Sequence, residues 1–219
     1  MITFEQVKKN EAIAEYIRSA DKSLIALGYT EHSFAHVGKV VSATEYILAS
    51  LGFDKEQIDI AKIAAYMHDI GNLVNRVDHS QSGAIMAFRI LDNMGMEPEN
   101  IATIVTAIGN HDEGTGVPVS DIAAALIIAD KSDVRRSRVR NRDETTFDIH
   151  DRVNYSVTDS DLIINRDENE IILSLSIDTK YSSVMDYFEI FMKRMILCRK
   201  AAERLGLRFR LQINGQILL

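Results

Sequence analysis

Ile58-Asp-Ile-Ala-Lys-Ile-Ala-Ala-Tyr-Met-His-Asp-Ile-Gly71 is the stretch whose reading decides the fold. Ile58, Ile60, Ala61, Ile63, Ala64, Ala65 and Met67 are apolar nearly all round a helix, so the spacing predicts a helix over residues 55–70 at the centre of a core. His68 and Asp69 close it, just before Gly71. A carboxylate at the end of such a helix is costly to desolvate unless something positive or hydrogen-bonding meets it.

Working outward, Asp54 followed by Gln57 reads as a capping box that starts this helix, and Thr3 followed by Gln6 reads as another. Val37, Val40, Val41, Ala43, Ile47 and Leu48 recur at helical spacing over residues 34–51, with Gly52 as the stop. Further helices are expected over residues 80–93, 98–110 and 119–133, Pro98 suiting a first-turn position. Residues 111–118 read as a loop. Beyond about residue 150 the pattern changes to strands at 153–157, 162–165 and 171–177, the last two joined by a turn at 166–169. A long helix over 182–205, closed by Gly206, and a strand over 208–213 complete the chain. The expectation is a mainly α protein, with a helical domain over residues 1–150 and a small α+β tail over 151–219.

At 219 residues the chain can bury one sizeable core. Its longest apolar run, Ile122 to Ala129, falls far short of the roughly 18 residues a membrane span needs. Met1 leads into Thr3-Phe4-Glu5-Gln6 with no basic segment followed by an apolar one, and the expectation is a cytoplasmic protein. The single cysteine, Cys198, cannot form an intrachain disulfide and sits in an apolar helical run, where it reads as core filler. A net charge of -7 argues against non-specific nucleic-acid binding while leaving room for a small anionic substrate.

Four of the six histidines fall in one ordered series with two aspartates: His36, His68-Asp69, His79, His111, Asp130. Each lies on or beside a different predicted element. Asp130 closes the eight-residue apolar run, again a poor place for an unpartnered charge. A carboxylate can bridge two cations, so Asp69 could serve two sites. Imidazole with carboxylate favours a transition metal, iron or manganese ahead of cobalt, nickel or zinc, over magnesium or calcium, which prefer oxygen shells.

With these residues the chain resembles the HD-domain superfamily of metal-dependent phosphohydrolases, over roughly residues 30–135. The carrying residues are His36, His68-Asp69-Ile70-Gly71, His79, His111 and Asp130. The resemblance implies an HD-type helical bundle with a small C-terminal α+β extension. It also implies a basic metal site from His36, His68, Asp69 and Asp130, and a second metal through His79 and His111. Residues 111–118 are loosely similar to a loop of HD-GYP cyclic-dinucleotide phosphodiesterases. Asp112, Val117 and Asn72 stand where those carry histidine, tyrosine and lysine, which argues against a cyclic dinucleotide. Ala129-Asp130-Lys131 is similar to a run in dinucleoside tetraphosphatases and suggests a basic residue, Lys131, on the phosphate side.

Two bound cations would turn a bridging water into hydroxide near neutral pH and neutralise phosphoryl oxygens. The implied reaction is hydrolysis of a phosphate ester of a nucleotide or other small phosphorylated metabolite, with Asp69 and Asp130 orienting the water. His32, four residues before His36, would share its helix face and act as general acid, as in a similar motif of mammalian-type cyclic-nucleotide phosphodiesterases; it equally suits a capping role. Lys131, Arg135 and Arg136 open a basic run through Arg138, Arg140 and Arg142 that can meet phosphate or pair with Asp143 and Glu144. Asn72, Asn75 and Arg76 follow the His-Asp pair and can touch substrate. Asp112 and Glu113 line the pocket, hold ligands from behind, or face solvent. His150 falls outside the series. A di-iron oxygenase would use the same ligand types, and a regulatory module would retain the fold without turnover. Exposed tail strands would let two copies pair as a homodimer.

Replacing His68 and Asp69 together by alanine is expected to remove both bound metal and hydrolysis. Metal analysis and turnover of the double variant check this; retained turnover contradicts it.

Overall fold

The computed structural model describes residues 2–218. In it Asp54 starts the central helix α4, Lys55–Met67, with the expected reciprocal cap: its carboxylate accepts from the Gln57 N–H, and Gln57 answers at the Asp54 N–H. Thr3 and Gln6 cap α1, Phe4–Lys8, in the same way. α2, Glu11–Ala26, and α3, Phe34–Ser50, follow from asparagine and serine caps. α5 is His79–Asn93, α6 is Pro98–Gly109 and α7 is Asp121–Ser132.

α4 and α7 are the central pair. Ala61, Ile63, Ala64, Ala65 and Met67 are wholly buried, as is the run from Ala123 to Ile127. α4 packs against α3, α6 and α7, while α7 packs against α3, α4, α6 and α9. Each buried isoleucine or leucine contributes roughly 1.5–3 kcal/mol. Because the C-terminal half of α4 and most of α7 are enclosed, the residues at their ends are buried or nearly so. Those ends carry His68-Asp69 and Asp130.

One close approach sets how the ends meet. After α4 the chain makes a single 3-10 turn, Ile70–Leu73, which packs on α2 and α5. A Cβ on Gly71 would lie 1.9 Å from the His79 carbonyl oxygen and 2.5 Å from the Gly83 nitrogen, so only glycine lets α5 lie against the turn. Gly83 returns the contact from α5. Asp78, just ahead of His79, adopts a left-handed φ of 56°, a conformation aspartate enters more readily than most residues. His79 is thereby delivered beside Asp69.

The C-terminal part differs from the sequence expectation in one place. Residues 153–157, expected as a strand, are helical up to Ser156: α8 runs Ile149–Ser156. The Asp148 carboxylate accepts from the Asp151 N–H at 2.7 Å and starts a helical turn, a local signal that outweighs the β preference of Val153. β1, Val157–Asn165, pairs antiparallel with β2, Glu170–Ile177, and is longer at its start than expected. α9, Val184–Arg204, then crosses to β3, Arg208–Ile213, which lies parallel to β2. A parallel pair needs such a crossover. A hairpin at Asn214-Gly215, both at positive φ, adds β4, Gln216–Ile217, which the Asn-Gly pair signals although no strand was expected there.

Apolar packing is continuous from α1 to β3. Cys198 on α9 belongs to it, its thiol pushed up to about 12 by burial. No described helix is long and apolar enough to cross a membrane.

Gly71→Ala is expected to lower stability by about 3 kcal/mol, the upper end for overpacking, because the added methyl meets backbone on two sides. Urea unfolding checks it; an unchanged midpoint contradicts the packing described.

Candidate metal centre

Five chain segments bring the six residues of the series together. His36 stands in the first turn of α3, His68 and Asp69 at the end of α4, and His79 at the start of α5. His111 lies just past α6, and Asp130 in the last turn of α7. The four histidines and Asp69 are buried. His36 Nε2 lies 3.3 Å from Asp130 Oδ1 and 3.7 Å from Asp69 Oδ2. His68 Nε2 lies 3.2 Å from Asp69 Oδ2 and 3.7 Å from Asp130 Oδ1. The other Asp69 oxygen, Oδ1, faces His79 Nε2 at 3.4 Å and His111 Nε2 at 3.8 Å. Asp69 therefore turns one oxygen to each pair of histidines.

The far nitrogen of every ring fixes what these atoms are. Nδ1 of His68, His79 and His111 donates to the carbonyls of Ala65, Arg76 and Ile108, at 2.8, 3.1 and 2.6 Å. Nδ1 of His36 donates to Asp133 Oδ2 at 2.8 Å. With a proton on Nδ1, such a ring can present a lone pair at Nε2 to a cation. Four such nitrogens and two carboxylates then face one another, and the side-chain donors at their edge are Asn72 to Asp69 and Lys131 to Asp130. Among the described residues, Nε2 of His36 and of His68 is buried without a hydrogen-bond partner. His79 Nε2 and His111 Nε2 sit 3.2 Å apart. A cluster this rich in acceptors fits a cation, and separations of 3.2–3.8 Å are those of atoms sharing a metal at roughly 2.0–2.2 Å. His36, His68 and Asp130 form one group able to hold an ion; His68, Asp69 and His111 form another.

The electrostatics agree. Burial alone would depress His68, yet the charges of Asp69 and Asp130 override it and raise its pKa to about 10. Burial likewise opposes ionisation of Asp69 and Asp130, but His68 beside the first and Lys131 beside the second hold both well below the usual carboxylate range. His79 is lowered to about 4, mainly by burial. The cluster draws positive charge to His68.

A ring of partners holds the ligands. Asp133, lowered to about 2 against its burial by the His36 hydrogen bond and by arginines, also receives Arg135 Nε at 2.8 Å. Lys131 is buried between Asp130 and Glu113, 2.9 Å from the latter. Glu113 in turn meets Arg194 Nε of α9 at 2.9 Å. Asp133 and Arg194 were not singled out in the sequence, since nothing local marks an aspartate two residues past Lys131 or an arginine 64 residues past Asp130.

Three expected substrate contacts lie elsewhere. Asn72 donates to the Asp69 carboxylate and carbonyl, both at 3.0 Å, and so positions a ligand. Arg135 is engaged by Asp133 and Glu31, and Arg136 by the Tyr155 carbonyl and the faces of Tyr155 and Tyr181. The reason is that α7 ends at Ser132, so the basic run is not one helix face and its arginines diverge. Arg138 instead turns inward, and Arg140 pairs with Asp21. His32 is likewise not on the helix of His36: Ser33 caps α3, and His32 precedes it with Nδ1 on the Thr30 carbonyl at 2.7 Å. Its ring still stands 5.4 Å from that of His36, and burial with Arg138 nearby holds it well below the ordinary histidine range.

A void of about 20 Å³ beside Asp69, Asp130 and Lys131 adjoins a chamber of about 500 Å³. They share His32, Arg76, Glu113, Arg138 and Arg194. Asp112 lines the void. A wider groove over Gly38, Lys39 and Ser160 touches none of the six residues.

The HD domain family model matches residues 33–146, just over half of the chain and all six residues of the cluster, and the chain belongs to that family. It is similar to MJ1020, an uncharacterised protein of Methanocaldococcus jannaschii, with 24% identity over 160 residues. That alignment covers 63% of this chain and 61% of the relative, so the chain spans about three fifths of the relative's length. Among solved structures, a predicted HD superfamily hydrolase from an uncultured Thermotogales bacterium is 26% identical, with a TM-score of 0.46 over 57% of this chain and 68% of that one.

Asp133→Asn is expected to weaken metal binding by about 10–100-fold, since the amide no longer carries the charge that makes His36 a strong donor to metal. Competition with a chromogenic chelator measures this; unchanged affinity contradicts the role of Asp133.

Proposed function

We propose that this protein is a metal-dependent phosphohydrolase that cleaves a phosphate ester of a nucleotide or other small phosphorylated metabolite, using two divalent transition-metal ions, iron or manganese foremost. The observation that carries the reading is the division of the Asp69 carboxylate between two histidine pairs, His36 with His68 and His79 with His111. One carboxylate serving two such groups suits a two-metal site. Cations held there would acidify a water and neutralise phosphoryl oxygens.

The chain's own residues supply the rest. Lys131, whose pKa is raised by Asp130 and Glu113 against its burial, stays charged and borders the void where a phosphoryl oxygen would lie. Arg76, Arg138 and Arg194 line both void and chamber and would orient the ester. His32 has Nε2 available to meet a leaving oxygen, its Nδ1 being fixed on Thr30. To donate there it must first become imidazolium. The incoming phosphoryl charge favours that form, because it opposes the positive charge of Arg138. The same ligand types would serve a di-iron oxygenase; the guanidinium groups around the chamber favour a phosphoryl substrate.

Protein loaded with manganese or iron is expected to release phosphate from p-nitrophenyl phosphate without consuming oxygen. His32→Ala is expected to lower kcat by about 100-fold or more with metal content unchanged. Oxygen consumption without phosphate release overturns the reading, and metal loss in the His32 variant recasts His32 as a ligand.

A further inference from the structure

Resting on the phosphohydrolase reading, we infer that α8 selects the leaving group: a neutral, hydroxyl-rich alcohol, as in a sugar phosphate or nucleoside monophosphate, with no second anionic group. The chamber is polarised along its length. At the metal end stand three guanidinium groups from three separate stretches of chain. Arg138 is 4% exposed; it donates Nε to the Glu31 carbonyl and Nη1 to the Asp133 carbonyl, which leaves Nη2 for a ligand. Arg194 gives Nε to Glu113 and lies 4.5 Å from the centroid of Phe191, with its outer nitrogens free of hydrogen bonds among the described residues. Arg76 lies over Tyr29 and forms no ion pair among the described residues. This end receives the phosphoryl group.

Away from the void the lining carries three acceptors, with His150 among them. Asp148, Asp151 and Asn154 recur every third residue along α8 and its cap, and all three border the chamber. Asn154 is 6% exposed and donates its amide to the His150 carbonyl, so its oxygen is left unpartnered among the described residues. Asp148 uses one oxygen to cap α8, and Asp151 accepts from Asn141 at Oδ2 only. Three acceptors in a row are answered by the hydroxyl donors of a polyol or ribose. A second phosphate or a carboxylate in the same place would face two aspartates and an amide oxygen. A chamber of about 500 Å³ has room for one sugar or nucleoside. These residues lie beyond the segment that the HD domain matches, so the selection belongs to this chain's own C-terminal part.

The test is phosphate release by the metal-loaded full chain on three esters: p-nitrophenyl phosphate, a hexose 6-phosphate and the corresponding hexose bisphosphate. The wild type is expected to prefer the hexose monophosphate over the bisphosphate by about tenfold or more in kcat/KM. Asp151→Asn, near-isosteric and so compatible with the native packing, is expected to shrink that preference, and Asp151→Lys to reverse it. Asn154→Leu should lower the ratio of hexose monophosphate to p-nitrophenyl phosphate turnover by about tenfold. A melting temperature matching the wild type shows that each variant folds. Turnover of p-nitrophenyl phosphate with none of these ratios moved overturns the assignment to α8 and leaves the phosphohydrolase reading standing. No phosphate release from any ester by the wild type overturns both.

Discussion

The structure depends on one enclosed carboxylate. Asp69 sits just past a helix whose C-terminal half is buried, and its neighbours at the cluster are a second carboxylate, four imidazole rings and the Asn72 amide. Such an arrangement is held by positive charge, from His68 beside Asp69 and Lys131 beside Asp130, and without it buried carboxylates would cost several kcal/mol. The packing of α3, α4, α5 and α7 holds these groups in place nonetheless. Backbone carbonyls enforce it from behind by accepting the Nδ1 proton of His68, His79 and His111. Fold and site are therefore the same object: moving any one helix end would both open the core and break the cluster.

Charges outside the cluster extend the arrangement outward in alternating sign. Asp130 meets Lys131, Lys131 meets Glu113, and Glu113 meets Arg194. On the other side His36 meets Asp133, which meets Arg135, which meets Glu31 in the segment that carries His32. The first path ties α9 to the centre, and α9 is in place because it is the crossover between two parallel strands. The sheet thereby has a direct bearing on the site although it supplies no ligand. The basic run after α7, in turn, works largely as scaffold: its arginines fasten residues 21–33 against the end of α7.

Much of this is legible in the sequence because the ligands are read as a pattern of types. The order His36, His68-Asp69, His79, His111, Asp130 survives without any knowledge of distance, and the apolar periodicity of α3, α4 and α7 places each near a helix end. Gly71 can be read as a helix stop, but its closer role, lying against His79 and Gly83, needs coordinates. Asp133 and Arg194 are illegible for the opposite reason: each matters through one long-range contact that no local spacing encodes. Residues 153–157 read as a strand but are helical up to Ser156, because a β-branched residue there competes with the Asp148 cap and the cap prevails. Asn72, Arg135 and Arg136 have the right chemistry for a substrate, yet they point at ligands or at supports instead.

Asp69, on this reading, divides two cation sites. Anomalous diffraction from crystals of the manganese-loaded protein tests it most directly. Two peaks are expected roughly 3.5–4 Å apart, one beside each Asp69 oxygen, the first near His36, His68 and Asp130 and the second near His79 and His111. A single peak, or peaks that do not touch Asp69, would contradict it.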